Sequence, residues 1–226
     1  MKKNTLYILI GAFVAVAIAL LLIFVFSGNV SEDMKQVEID GTWEVVVSAT
    51  NNTPALVENQ FMTFDGETAD VYRDGEVYAS STYSISGNML SLPDISRKYS
   101  IESKTENHIR LYENEKVYME VVRYPIADLR EVEIDHETIY GKWDVAYRNA
   151  SDPVANEVLA FSEDQIEDYR DGASEPAAVS SYSWVSDDVL LSDKWGIEFK
   201  LYQLSDDVIF FVETATGLIW ELHRVA

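Results

Sequence analysis

No cysteine occurs among the 226 residues. A disulfide framework, a thiolate nucleophile and a lipidated N-terminal cysteine are therefore excluded. Histidine is scarce as well. His108, His136 and His223 stand at no metal-ligand spacing, so a surface role is expected for them and no metal site. His136-Glu137 lacks the second histidine of the zinc-protease helix motif. Basic residues are few, 17 against 39 acidic, for a net charge of −22. Such an excess repels phosphate backbones, which rules out nucleic acid as a partner, and it makes an anionic membrane surface a poor dock. No serine lies in G-x-S-x-G and no glycine-rich phosphate loop is present. Carboxylates are so numerous that no pair of them marks a glycosidase centre, and Asp187-Asp188 and Asp206-Asp207 read as turn residues. No catalytic residue and no cofactor are expected, and the chain does not read as an enzyme.

The one long charge-free run is Leu6 to Phe26, 21 residues. As a helix rising ~1.5 Å per residue it would cover roughly 30 Å, one hydrocarbon core. Lys2 and Lys3 precede it while Glu32 and Asp33 follow, which puts the N-terminus in the cytoplasm and the rest outside. The run is longer than a signal peptide's apolar region and ends Phe24-Val25-Phe26-Ser27-Gly28, a poor cleavage site. The expectation is a single-pass signal anchor at 6–27, with a cytoplasmic 1–5 and a linker at 28–36. An exported chain without disulfides suits a bacterial cell envelope.

The remainder is written twice. Gly41-Thr42-Trp43 returns as Gly141-Lys142-Trp143, Tyr72-Arg73-Asp74-Gly75 as Tyr169-Arg170-Asp171-Gly172, and Ser81-Thr82-Tyr83-Ser84 as Ser180-Ser181-Tyr182-Ser183. Arg123 closes the first copy and Arg224 the second, and the offsets stay between 97 and 101. Two domains of one fold follow, at 37–124 and 139–226, with a connector at 125–138. Val132-Glu133-Ile134-Asp135 in the connector echoes Val37-Glu38-Ile39-Asp40, and these four connector residues are expected to pack across the barrel end.

Each copy reads as eight short strands. Trp43, Val45 and Val47 alternate in the first strand, as do Trp143, Val145 and Tyr147 in the second copy, the period of a half-buried strand. Turn signals recur every 8–12 positions, Asp65-Gly66, Asp74-Gly75, Gly87-Asn88, Glu113-Asn114 and Asp171-Gly172 among them. Sequential hairpins imply an up-and-down meander, which eight twisted strands can close into a barrel. A pair of immunoglobulin-type sandwiches is the alternative. The tight hairpins, the tryptophan on the first strand and the missing Cys…Trp…Cys pattern oppose it.

On Gly41-x-Trp43 with Arg123, and Gly141-x-Trp143 with Arg224, the chain resembles tandem lipocalin-like (calycin superfamily) domains of the bacterial type. Phe64-Asp65-Gly66 and Tyr83-Ser84-Ile85, with their counterparts at Phe161 and Tyr182, add to the resemblance. It implies an all-β protein of two tandem eight-stranded up-and-down barrels, each with the arginine lying over the tryptophan ring at the closed end. Gly41, Trp43, Arg123, Gly141, Trp143 and Arg224 are thus the structural signature.

Inward candidates by alternation are Met62, Phe64, Tyr83, Ile85 and Met89 in the first copy, and Leu159, Phe161, Tyr182, Trp184 and Trp195 in the second. Of these, Phe64, Tyr83, Phe161, Tyr182, Trp184 and Trp195 are the candidate ligand-binding residues. The second copy holds four of the five tryptophans, so a ligand is expected there rather than in the first. The leading expectation is a membrane-anchored, non-enzymatic binding protein for a small apolar ligand; an interaction scaffold, envelope sensor or assembly factor with filled barrels is the alternative. A cavity above ~300 Å³ lined by those aromatics would favour the first, and an exposed apolar groove between the domains the second.

Overall fold

The computed structural model describes residues 38–124, 135–148 and 156–225. The expected anchor at 6–27 and its flanks at 1–5 and 28–36 lie outside the described residues, as do residues 132–134 of the connector. Among the described residues no helix is long and apolar enough to cross a membrane.

The protein is all-β, two barrel-like sheets built as meanders. The first holds β1 (Gly41–Thr50), β2 (Thr53–Leu56), β3 (Gln60–Phe64), β4 (Thr68–Arg73), β5 (Glu76–Thr82), β6 (Ser84–Ser86), β7 (Met89–Leu92), β8 (Arg97–Ser103), β9 (His108–Asn114) and β10 (Val117–Arg123). The second holds β11 (Gly141–Arg148), β12 (Val158–Phe161), β13 (Gln165–Tyr169), β14 (Ala178–Trp184), β15 (Val189–Ser192), β16 (Ile197–Ser205), β17 (Val208–Glu213) and β18 (Ile219–Arg224). The second sheet closes as an eight-stranded barrel. The first has ten strands, for two reasons. Asn51 and Asn52, both at positive φ, turn β1 into a short hairpin with β2. The β-rich run at 76–85, one strand by its sequence, also breaks at Tyr83 into β5, which pairs with β4, and β6, which pairs with β7.

The two ends of the first sheet are thus consecutive in the chain, and side chains bridge the seam between them. Asp94, in a 3-10 turn at Pro93–Ile95, accepts from the Thr82 amide and hydroxyl at 2.8 and 2.9 Å, while its own amide donates to Ser81 Oγ at 3.1 Å. The second barrel repeats this staple one residue aside. The Lys194 amide donates to Ser180 Oγ at 3.0 Å and Ser181 Oγ to Asp193 at 2.7 Å.

Each barrel is plugged at one end in the same way. Trp43 pairs with Arg123 and Trp143 with Arg224 across the first and last strands. Both indoles are buried and donate through Nε1 to the carbonyls of Ile39 and Ile139, at 2.6 and 2.7 Å. The guanidinium carbon lies 4.4 Å above the Trp43 ring and 4.2 Å above that of Trp143. Arg123 then donates to the carbonyls of Asp40 and Glu38, and Arg224 to those of Tyr140 and Thr138. Gly41 and Gly141, at φ +110° and +116°, are needed twice over. An added Cβ would strain the backbone and stand 3.2 or 3.3 Å from the arginine Nη1. The residue matching Ile39 is therefore Ile139, one hundred positions on, in a 3-10 turn at His136–Ile139. The resemblance of Ile134 to Ile39 in sequence does not mark that equivalence.

The expected alternation of the first strands stops at a bulge. Val45 faces Val121 but Val47 faces Glu120, so Val46 is extra; Ala146 is extra in the same place in the second copy. Inserting one residue reverses the faces beyond it. Val47 therefore leaves the barrel interior, and Ser48 enters it. Val46, Val47 and Val122 pack instead on Tyr202, Phe210, Val212 and Ile219 of the second barrel, so the two barrels share an apolar contact. At Gly217 a Cβ would come within 3.0 Å of Pro54 Cβ across that contact.

His108 is the exception to the surface role expected of histidine. It is 0 % exposed, lies edge-on to Tyr147 and Phe210 across the contact, and meets Glu120 at 2.8 Å. Burial would raise the Glu120 carboxyl, but His108 and Arg110 outweigh it and hold the group below its ordinary value. His136 stacks on Trp184 at 3.7 Å, and His223 meets the buried Glu221 at 2.7 Å.

Candidate functional site

The open end of the first barrel, opposite the Trp43 plug, holds a cavity of about 220 Å³. Met62 and Val71 form part of its wall, with Leu111 and Met119 from the strands opposite. Both sides of the sheet seam contribute: Tyr78 and Ala79 from β5, and Ile95 from the 3-10 turn. Tyr78 is an extra residue in the β4–β5 ladder, because Val71 faces Ala79 while Tyr72 faces Val77. A bulge re-aims a side chain, and here it brings a 66 % exposed tyrosine to the rim. The Arg73 guanidinium lies 4.2 Å over that ring. Arg97 is also at the rim and pairs with Glu113 at 2.5 Å. Burial raises the Tyr99 hydroxyl above its ordinary value, so at neutral pH it stays a neutral donor in the wall.

The same positions in the second barrel carry larger or charged side chains. By the repeated motifs and pairing registers, Ser48 corresponds to Arg148, Gln60 to Glu157, Val71 to Asp168 and Met119 to Trp220. Ile95 corresponds to Trp195, Tyr99 to Phe199 and Leu111 to Phe211. Phe199 contacts Trp220 and Phe211 with centroids 5.6 Å apart in each case, and Arg148 lies 4.8 Å over Trp220. Arg148 also donates to Glu157, whose side chain is 1 % exposed, at 3.1 Å. Burial raises the Glu157 carboxyl, and Arg148 draws it part of the way back. Two of the three additional tryptophans of the second copy, Trp195 and Trp220, therefore stand where smaller side chains line the cavity of the first.

The six candidate ligand residues do not line this cavity. Phe64 lies edge-on to Tyr83 at 5.2 Å, and the Tyr83 hydroxyl donates to Asp40 at 2.5 Å. Burial, then Asp40, pushes that hydroxyl up to about 12. Phe161 packs edge-on to Tyr182 and Phe211, and Tyr182 donates to the Ser162 carbonyl at 2.6 Å. Trp184 lies under His136, and Trp195 packs on the second core. Phe64, Tyr83, Phe161, Tyr182 and Trp184 all sit toward the plugged ends. Of the other inward candidates, Met62 reaches the cavity while Met89 is 41 % exposed.

Sequence reasoning did not single out Tyr78, Tyr99, Arg97 or Met119. The signal available for the cavity was a comparison of the copies, since Met119 stands where the second copy has Trp220. Among the described residues no group of three or more His, Asp or Glu could hold a metal ion.

No family model matches the sequence, and no curated protein matches it. Two solved structures are similar in part. One is a lipocalin-like protein from Bacteroides uniformis, 14 % identical, covering 38 % of this chain and 98 % of its own, with a TM-score of 0.32. The other is a protein of unknown function of the DUF3598 family from Nostoc punctiforme, 10 % identical, covering 86 % of this chain and 100 % of its own, with a TM-score of 0.34. Scores that low carry no weight beside the strand order and the two plugs, and it is these that fit a tandem lipocalin-like fold.

Proposed function

We propose that this is a membrane-anchored, extracytoplasmic binding protein without enzymatic activity, whose first barrel takes a small ligand at its open end. The second barrel is a packed partner that braces the first. The observation that carries the reading is the cavity of about 220 Å³, present where the first copy has Ser48, Ile95 and Met119 and the second has Arg148, Trp195 and Trp220. It lies below the ~300 Å³ at which drug-sized pockets begin, so the ligand is smaller than that class. The apolar residues Val46, Val122, Phe210 and Ile219 are spent on the contact between the barrels, which favours the ligand reading over a scaffold that would use them for a partner. Native mass spectrometry of the full chain from its own envelope tests the reading, with Met119→Trp as the filled control. An adduct on the wild type that the variant lacks supports it. A bare mass for the wild type, together with no binding from a panel of small apolar compounds, would sink it.

A further inference from the structure

The second barrel contains a worked answer to what an arginine at the cavity rim pairs with. The repeated Tyr-Arg-Asp-Gly places Arg73 and Arg170 at the same point of their barrels. Arg170 donates through Nε and Nη2 to Asp168 Oδ2, at 2.9 and 2.6 Å. Asp168 is 1 % exposed and faces into the barrel, opposite Leu159. In the first barrel its place is taken by Val71, opposite Met62. The arginine is kept and its internal carboxylate is gone.

We infer that the cavity of the first barrel takes a small carboxylic acid as its anion, with the carboxylate against Arg73 where Asp168 stands against Arg170. This rests on the ligand-binding reading of the same cavity. Three further observations point the same way. Among the described residues Arg73 makes no ion pair, in a chain with 39 acidic groups. Stacking on Tyr78 uses the face of the guanidinium and leaves its in-plane N–H donors for a fork of carboxylate oxygens. Two of the carboxylates that the second barrel turns inward, Glu157 and Asp168, are replaced by Gln60 and Val71 in the first, and the carboxylate that remains in the cavity lining, Glu113, is neutralised by Arg97, so repulsion of an anion is reduced. Arg97 is already matched by Glu113, which leaves one positive charge at the rim and selects a monoanion.

The apolar body would lie on Met62, Leu111 and Met119. At interior packing density the space holds roughly 160 Å³ of molecular volume, an acid of about eight to ten non-hydrogen atoms. Hexanoate and phenylacetate are the probes, with hexanamide as the neutral isostere, titrated calorimetrically into the full chain at neutral pH. Hexanoate is expected to bind about tenfold more tightly than hexanamide, as a charge-assisted pair at a half-open rim should. Arg73→Gln should weaken both acids by about tenfold and leave hexanamide unchanged. Val71→Asp, which restores the internal carboxylate, should abolish acid binding in a protein whose circular dichroism is that of the wild type. Equal affinity for hexanoate and hexanamide, or acid binding indifferent to Arg73→Gln, overturns the carboxylate assignment and leaves the cavity reading standing. Failure of all three probes to bind the wild type overturns the cavity reading itself.

Discussion

The two barrels share a plug and differ in what lies above it. At the closed ends the correspondence is almost atom for atom: the indole N–H on an isoleucine carbonyl, the arginine over the ring, the guanidinium on two backbone carbonyls. At the open ends one barrel keeps a cavity while the other is packed with Trp220, Phe199, Phe211 and the Arg148–Glu157 pair. One set of folding interactions therefore supports two interiors. A duplicated domain can hollow one copy while the other contributes packed core and a broad apolar contact.

The comparison can be broken most forcefully at the plugs. Trp43→Ala and Trp143→Ala should each cost ~3–5 kcal/mol, because each removes a fully buried indole and strands an arginine. Urea denaturation followed by circular dichroism would show it, and a variant with unchanged stability contradicts the plug for that barrel. Next comes the buried ion pair. Arg148→Met removes the cation that offsets the burial of the Glu157 carboxyl, at about 3 kcal/mol, whereas Ser48→Ala at the matching position should change stability by under about 0.5 kcal/mol. Equal effects would show that the second interior does not depend on its charge pair. Trp220→Met should then cost about 2–3 kcal/mol and open a cavity in the second barrel. Uptake of xenon or a small aromatic by that variant alone would verify the cavity.

The smallest expected effect lies at the contact between barrels. Burial, opposed in part by Lys200, raises Glu44 to about 7. Its carboxyl keeps a proton in the folded state that the unfolded chain has already released above its ordinary value of 4.5. The stability tied to this group is thus fully present below about pH 4.5 and is lost as pH rises toward 7. Glu44→Gln should be more stable than the wild type by about 1–2 kcal/mol at pH 8, with the gain vanishing by pH 4. A difference between the two proteins that does not change with pH would rule out the buried acid.

Legibility followed the range of the interaction. Asp74-Gly75 and Asp171-Gly172 were readable as tight turns because their positive φ is a property of those residues themselves. The G-x-W and closing arginine were readable because they recur in register. Val47 and Tyr147 misled, since a one-residue bulge reverses the faces and nothing in an alternating run announces it. Phe64 and Trp184 looked like ligand contacts because alternation tells inside from outside but not one end of a barrel from the other. His108 looked superficial because what covers it, Tyr147 and Phe210, comes from the other domain.

By itself, then, the sequence determined two all-β repeats and their turns, consequences of local backbone preference and short-period patterning, while the duplicated G-x-W and closing arginine marked the plug through the resemblance they carry. Tertiary structure alone decided which barrel is hollow, where its mouth opens and which faces the two barrels bury against each other. Those outcomes depend on side-chain volume and charge summed over strands far apart in the chain, where Met119 or Trp220 beside Leu111 or Phe211 makes the difference between space and packing.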